Sequence, residues 1–283
     1  MTAPQYGKIL REFGILPKKR LGQHFMIDPA LLRSIASLML PEEDRYVVVE
    51  IGAGIGTLTR ELAGRARRVY ALEMDRDLAP ALERTSMELP NVQIVWGDAL
   101  EFDLTGGTVA EGNPGEALAL CGNLPYYVTS EIMYSALVKR ARWGRMGFVV
   151  QEEVGERMAA PPGSRDFGRL SLWCQYRADV SVEKRISKGS FVPRPDVGSC
   201  LVTLQVKPQF PLTPEEEALL DSISRAVFSQ RRKTLQNGLK EVFPDRETLL
   251  TALAAAGVDP LCRPEDLSIE DFVRLTKAAS QRR

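Results

Sequence analysis

The chain has 283 residues, more than one typical domain, and its 44% hydrophobic and 26% charged residues exclude a disordered or fibrous protein. Basic and acidic residues balance at 37 each, which excludes a strong overall pull toward polyanions. No window reaches the roughly 18 apolar residues of a membrane span, the start MTAPQYGKILREFGILPKKR lacks a signal-peptide core, and four scattered cysteines with a single histidine suggest neither a zinc site nor a disulfide framework. A cytoplasmic protein with reduced, buried cysteines, no metal and no membrane partner is expected.

Basic clusters at Lys18-Lys19-Arg20, Arg65 to Arg68, Lys139 to Arg145 and Arg231-Arg232-Lys233 stand apart from acids at Glu215-Glu216-Glu217 and Glu265-Asp266. Such segregation allows a basic face on a neutral protein, although each cluster also reads as a solvated helix end. From residue 29 onward the periodicity alternates. Helical patterns over 29–40, 56–64, 76–88, 129–142 and 152–159 interleave with β-branched runs over 46–51, 68–73, 92–96, 117–122 and 146–151, the signature of βαβ units and a parallel sheet. Two further runs, 180–186 and 200–206, follow with little helix between them. They predict a hairpin and an antiparallel strand at one edge of a seven-stranded sheet.

The first strand runs into Glu50-Ile51-Gly52-Ala53-Gly54-Ile55-Gly56, where Gly52 and Gly54 let the backbone turn tightly and approach a ligand. Glu73 closes the second strand, where a carboxylate can accept from both hydroxyls of a ribose. Asp98 and Ala99 follow the third, where a carboxylate can accept from an adenine amino group. A dinucleotide-dependent oxidoreductase uses the first two features equally well, and the fourth strand breaks the tie. It leads into Asn123-Leu124-Pro125-Tyr126. A nucleobase amino group is a poor nucleophile because its lone pair is delocalised, so an enzyme must hold acceptors against its N–H bonds. Here the Asn123 side-chain oxygen and the Leu124 carbonyl can do so, Pro125 fixes the backbone, and Tyr126 can stack on the base. The chemistry indicated is methyl transfer from S-adenosylmethionine to such a nitrogen, on a base extruded from its stack or presented in an unpaired loop. A second aromatic is expected on the opposite face. Phe191, in Ser190-Phe191-Val192-Pro193-Arg194-Pro195-Asp196-Val197, suits that role or that of a core residue under a loop.

Three prolines between Lys207 and Pro214 end the sheet pattern and mark a boundary between domains 1–207 and 208–283. Helices over 215–229, 231–242, 246–256 and 268–279 then predict a small all-α bundle. No coiled-coil seam appears, so a monomer is expected.

Together these residues resemble the ribosomal RNA adenine dimethyltransferase family of small-subunit enzymes. The likeness runs from Lys18-Lys19-Arg20-Leu21-Gly22-Gln23-His24-Phe25-Met26-Ile27-Asp28 to Phe228-Ser229-Gln230-Arg231-Arg232-Lys233-Thr234-Leu235-Gln236-Asn237-Gly238-Leu239. It implies an α/β, Rossmann-like class I methyltransferase. The implied reaction dimethylates two adjacent adenosines in a hairpin loop near the 3′ end of 16S rRNA, in an immature 30S subunit. It further implies that residues 18–28 close over the cofactor, making His24 and Met26 cofactor contacts beside Gly52, Glu73, Asp98 and Asn123; without the motif, His24 reads as a surface or packing residue. Arg231, Arg232 and Lys233 become RNA contacts, with a solvated helix face as the alternative. Met26 stands where leucine is usual, Ala53 where proline is, and Tyr127 where asparagine is frequent. Two competing readings are a 23S rRNA adenine methyltransferase of the macrolide-resistance type and a non-catalytic RNA-binding assembly factor.

Overall fold

The computed structural model describes residues 3–138, 142–230 and 232–281, which divide into two compact units. The first comprises Met1–Gly155 and Asp179–Val206, the second Glu156–Ala178 and Lys207–Arg283.

In the first unit a helix α1 (Ala3–Glu12) and a two-residue strand β1 (Phe25–Met26) precede α2 (Pro29–Met39), which Asp28 caps by accepting from the Ala30 and Leu31 N–H groups. Alternation follows as β2 (Tyr46–Ile51), α3 (Thr57–Ala63), β3 (Arg68–Glu73), α4 (Ala79–Ser86), β4 (Val92–Trp96), α5 (Gly107–Gly112), β5 (Ala117–Asn123), α6 (Thr129–Val138), β6 (Arg145–Gln151) and α7 (Glu152–Met158). Beyond α8 (Arg169–Arg177) of the second unit come β7 (Ala178–Ile186), β8 (Phe191–Val192) and β9 (Ser199–Val206). Seven strands form one sheet in the order β4-β3-β2-β5-β6-β9-β7, and β1 pairs with β8 in a separate ribbon. Strands β2 to β6 run parallel and β9 antiparallel to β6. All six residues of β2 are buried, as a central strand covered on both faces requires, whereas the edge strand β7 exposes Glu183, Lys184 and Arg185.

Register aligns the strand ends: Ile51 lies beside Leu72 and Gly122, and Glu73 beside Trp96. The residues that follow β2, β3, β4 and β5 therefore gather along one edge of the sheet, the usual ligand position in an open α/β fold.

The second unit is helical: α8, α9 (Pro214–Ser229), α10 (Leu235–Gly238), α11 (Arg246–Ala256) and α12 (Ile269–Ser280). Thr213 opens α9 with a capping box, donating its N–H to Glu216 Oε2 (2.9 Å) and accepting from the Glu216 N–H. Three features depart from the sequence reading. Residues 156–178, assigned there to the first domain, join the helical unit, because Arg177 is buried among its residues. The Arg177 guanidinium pairs with Glu217 (2.8 Å), lies 4.2 Å from the Phe210 ring centroid, and shares Glu217 with the Tyr176 hydroxyl (3.0 Å). The helix expected over 231–242 shrinks to the single turn α10, since Gly238 is a poor helix former and lies against Val227 of α9, where an added Cβ would come within 3.4 Å of the Val227 Cα. Cys262 is only partly buried, whereas Cys121, Cys174 and Cys200 are buried, and among the described residues none of the four forms a disulfide.

Candidate active site

A pocket of about 980 Å³, counting its open mouth, lies along the aligned strand ends. After β2 the chain turns through Gly52 and Gly54 at φ of +72° and +61°, the left-handed region that side chains disfavour. The Gly52 and Ala53 N–H groups both donate to the Leu72 carbonyl (2.9 and 3.1 Å), folding the loop onto β3. An added Cβ at Gly54 would sit 3.3 Å from the Phe25 ring, so space as well as angle calls for glycine.

Glu73 is 6% exposed. Its Oε2 accepts from the Gly54 N–H and its Oε1 from the Asp75 N–H, both at 2.8 Å. Burial raises its pKa, and the backbone bonds from Asp75 and Gly54 oppose the rise. Each oxygen retains a lone pair for a diol. Asp98 Oδ1 accepts from the Leu100 N–H (2.9 Å), and Asp98 and Ala99 stand on the pocket wall with the Met74 and Leu100 side chains.

On the opposite wall are Asn123, Leu124, Pro125, Tyr126 and Tyr127. Asn123 Nδ2 donates to the His24 carbonyl (2.9 Å), which leaves Oδ1 as the free acceptor among the described residues. The Leu124 N–H donates to the Val149 carbonyl (3.0 Å), while Pro125 accepts from the Val128 N–H and the Thr129 hydroxyl, so the tetrapeptide is anchored at both ends. The Tyr126 hydroxyl lies 2.7 Å from Ser199 Oγ.

Residues 18–28 strap the pocket from two sides. Lys18 Nζ reaches Asp75 and Asp77 (2.5 Å each), and Gln23 donates to Asp75 (2.7 Å) while accepting from the Lys18 N–H. His24 Nδ1 donates to the Pro193 carbonyl (2.8 Å), and its ring stacks on Tyr126 with centroids 5.7 Å apart and planes at 26°.

The structure thus brings His24, Gly52, Gly54, Glu73, Asp98, Ala99, Asn123, Leu124 and Tyr126 to one pocket. It does not bring Met26 or Phe191 there. These two are register partners in the β1–β8 ribbon, where successive side chains point to opposite faces. Phe25 therefore meets the pocket, while Met26 and Phe191, 2% and 3% exposed, enter the core beneath. Arg232 and Lys233 are exposed on the helical unit, and Arg231 lies outside the described residues. The sequence reading missed Gln23, Met74, Leu100 and Tyr127 as wall residues. A signal was present for Met74 and Leu100, apolar residues placed just after acidic strand ends and left 45% exposed. Among the described residues no cluster of His, Cys, Asp and Glu could hold a metal, and no helix is long and apolar enough to cross a membrane.

The family model described as ribosomal RNA adenine dimethylase matches residues 16–281. A ribosomal RNA small subunit methyltransferase A from Moorella thermoacetica is 39% identical over 274 residues, covering 95% of this chain and 94% of that protein. Among solved structures, a dimethyladenosine transferase from Plasmodium falciparum superposes with a TM-score of 0.75 at 22% identity, over 92% of this chain and 98% of that one, a likeness of fold. The 23S rRNA methyltransferase ErmE gives a TM-score of 0.68 at 25% identity, over 91% and 100% of the two chains. With a motif-bearing pocket and a family match along nearly its whole length, the chain belongs to the ribosomal RNA adenine dimethylase family.

Proposed function

We propose that this ribosomal RNA methyltransferase transfers methyl groups from S-adenosylmethionine to N6 of two adjacent adenosines near the 3′ end of 16S rRNA, giving N6,N6-dimethyladenosine. It acts as a cytoplasmic monomer on an immature 30S subunit. The observation that carries the reading is the orientation of Asn123, whose amide nitrogen is tied to the His24 carbonyl so that Oδ1 is turned out as an acceptor. It supports the nitrogen chemistry over a hydride transfer, which has no use for such an acceptor.

The residues present fit the methyl donor. Glu73, fixed by two backbone N–H bonds, would hold the ribose hydroxyls, the Gly52–Gly54 turn would admit the donor close to the backbone, and Asp98 would accept from the adenine amino group. When bound, S-adenosylmethionine supplies an electrophilic methyl on a leaving group that is already activated. The protein's own part is positioning. Asn123 Oδ1 and the Leu124 carbonyl accept from the two N–H bonds of the target amine, favouring a pyramidal nitrogen with its lone pair aimed at the methyl. Tyr126, pinned by Ser199, offers its face to the base. A proton leaves the nitrogen once the new C–N bond has made it acidic, so no dedicated general base is needed.

Relatives named ribosomal RNA small subunit methyltransferase A, 36–39% identical over 95% of this chain, support 16S over 23S rRNA. The test is incubation of unmethylated 30S and 50S particles with labelled donor, followed by mass mapping of the adenosines. Two adjacent dimethyladenosines in the 30S particle are expected. Label in 50S alone would favour the 23S reading, and RNA binding without label would favour an assembly factor.

A further inference from the structure

We propose that Lys18 is the catch of a lid over the donor pocket: its ammonium, clasped by Asp75 and Asp77, holds residues 18–23 down, and the donor exchanges only when that clasp opens. The proposal rests on the reading of the pocket as an S-adenosylmethionine site. Lys18 is a positioning residue, acting through the segment that follows it.

Residues 18–23 form an arch whose two feet are fixed by different means. Leu21, Gly22 and Gln23 lie on the pocket wall, while Lys18, Asp75 and Asp77 stand off it. The downstream foot is permanent: Phe25 and Met26 pair with β8 and are 6% and 2% exposed, and the His24 carbonyl holds the Asn123 amide. The upstream foot is made of side chains. Lys18 Nζ bridges Asp75 Oδ1 and Asp77 Oδ2 (2.5 Å each), and Gln23 Nε2 donates to Asp75 Oδ2 (2.7 Å). Gln23 Oε1 accepts from the Lys18 N–H (2.9 Å), which closes the arch on itself. Among the described residues no backbone hydrogen bond joins 18–23 to anything outside it. Asp75 is braced, donating its N–H to Glu73 Oε1 (2.8 Å) and accepting at its carbonyl from the Leu78 N–H (3.0 Å), so it stays in place when the arch lifts. The Lys18 and Asp77 side chains are 26% and 78% exposed, so water reaches and separates the ions. A contact of that kind makes a gate rather than a seam. Each methyl placed on an adenosine consumes one donor, so the gate must work at every transfer.

Because the clasp stands off the pocket wall, its strength governs opening whether or not a ligand lies beneath, and it drops out of the affinity. Both rates of exchange should therefore change while their ratio does not. Surface plasmon resonance of S-adenosylhomocysteine over the immobilised protein reads both. Lys18→Met should raise kon and koff together by about 5- to 50-fold and leave Kd within about threefold, as loss of a charged hydrogen-bonded pair, discounted for exposure, predicts. Lys18→Arg, which keeps the charge, should restore slow exchange to within about threefold. Asp77→Asn, at an exposed site, should speed exchange on its own and add nothing in Lys18→Met, and it reads the same gate if Lys18→Met does not fold. Raising salt from about 0.05 to 0.5 M should speed exchange by the wild type and not by Lys18→Met. Unchanged rates in both variants would overturn the catch. So would a faster koff at constant kon, since the arch would then be a ligand contact and not a gate. Failure of the wild type to bind S-adenosylhomocysteine would instead retire the reading of the pocket on which the proposal stands.

Discussion

Replacing Glu50 by glutamine should stabilise the protein at alkaline pH and leave it little changed at acid pH. Glu50 lies in the central strand β2, 1% exposed, and its Oε2 has no hydrogen-bond partner among the described residues. Burial raises its pKa from 4.5 to about 8, and the charge of Glu73 adds to the rise. In the unfolded chain the carboxyl ionises near 4.5, so between these two values the folded state holds a proton that the unfolded state has released. Stability is therefore fully present below pH 4.5 and falls as pH rises toward 8. Each pH unit in that window is worth ~1.4 kcal/mol, which sets a ceiling of about 5 kcal/mol. Glutamine keeps the shape without the ionisation. Urea unfolding of both proteins from pH 5 to 8.5 should give a difference that grows with pH in favour of Glu50→Gln, reaching a few kcal/mol. The comparison cancels every other titrating group. Parallel curves, or a wild type that gains on the variant as pH rises, would refute the assignment of a neutral carboxyl to the sheet.

Four further outcomes are expected. Asn123→Ala should lower kcat by at least about 100-fold while filter binding of RNA survives, because the lost acceptor acts on the reacting nitrogen; equal loss of both would make the residue structural. Glu73→Ala should weaken S-adenosylhomocysteine binding in calorimetry by about 10- to 100-fold with the circular dichroism spectrum preserved, as loss of charged hydrogen bonds to a diol predicts. Glu217→Ala should destabilise the protein by about 3–5 kcal/mol in urea, since it removes the carboxylate paired with the buried Arg177 guanidinium; a loss below about 1 kcal/mol would show that water reaches the pair. Charge reversal at Arg232 and Lys233 should weaken particle binding and flatten its salt dependence, and an unchanged salt series would remove this turn from the RNA surface.

The sheet was legible because its signals are local. Tyr46-Val47-Val48-Val49 is a buried strand by composition, and Gly52, Glu73, Asp98 and Asn123 each lie at or just past the end of a strand, so a parallel sheet alone brings them together. What escaped the sequence depends on partners remote in the chain. His24 meets Pro193 across 169 positions and Asn123 across 99, and nothing near position 24 announces either contact. The burial of Phe191 was not legible because alternation along β8, which sends it inward and leaves Val192 39% exposed, is fixed only by pairing with β1. Residues 156–178 were misassigned for a similar reason. Their allegiance rests on Glu217 and Phe210, which lie beyond the next three strands.

That allegiance changes how the protein can be divided. The polypeptide passes between its two units near residues 155, 178 and 206, so the helices at the end of the chain are not a detachable appendage. A protein halted at residue 206 would keep Arg177 but lose the carboxylate and the aromatic ring beside it, leaving a cation and a set of apolar helix faces built to be covered. Such a fragment should aggregate rather than survive as a minimal enzyme.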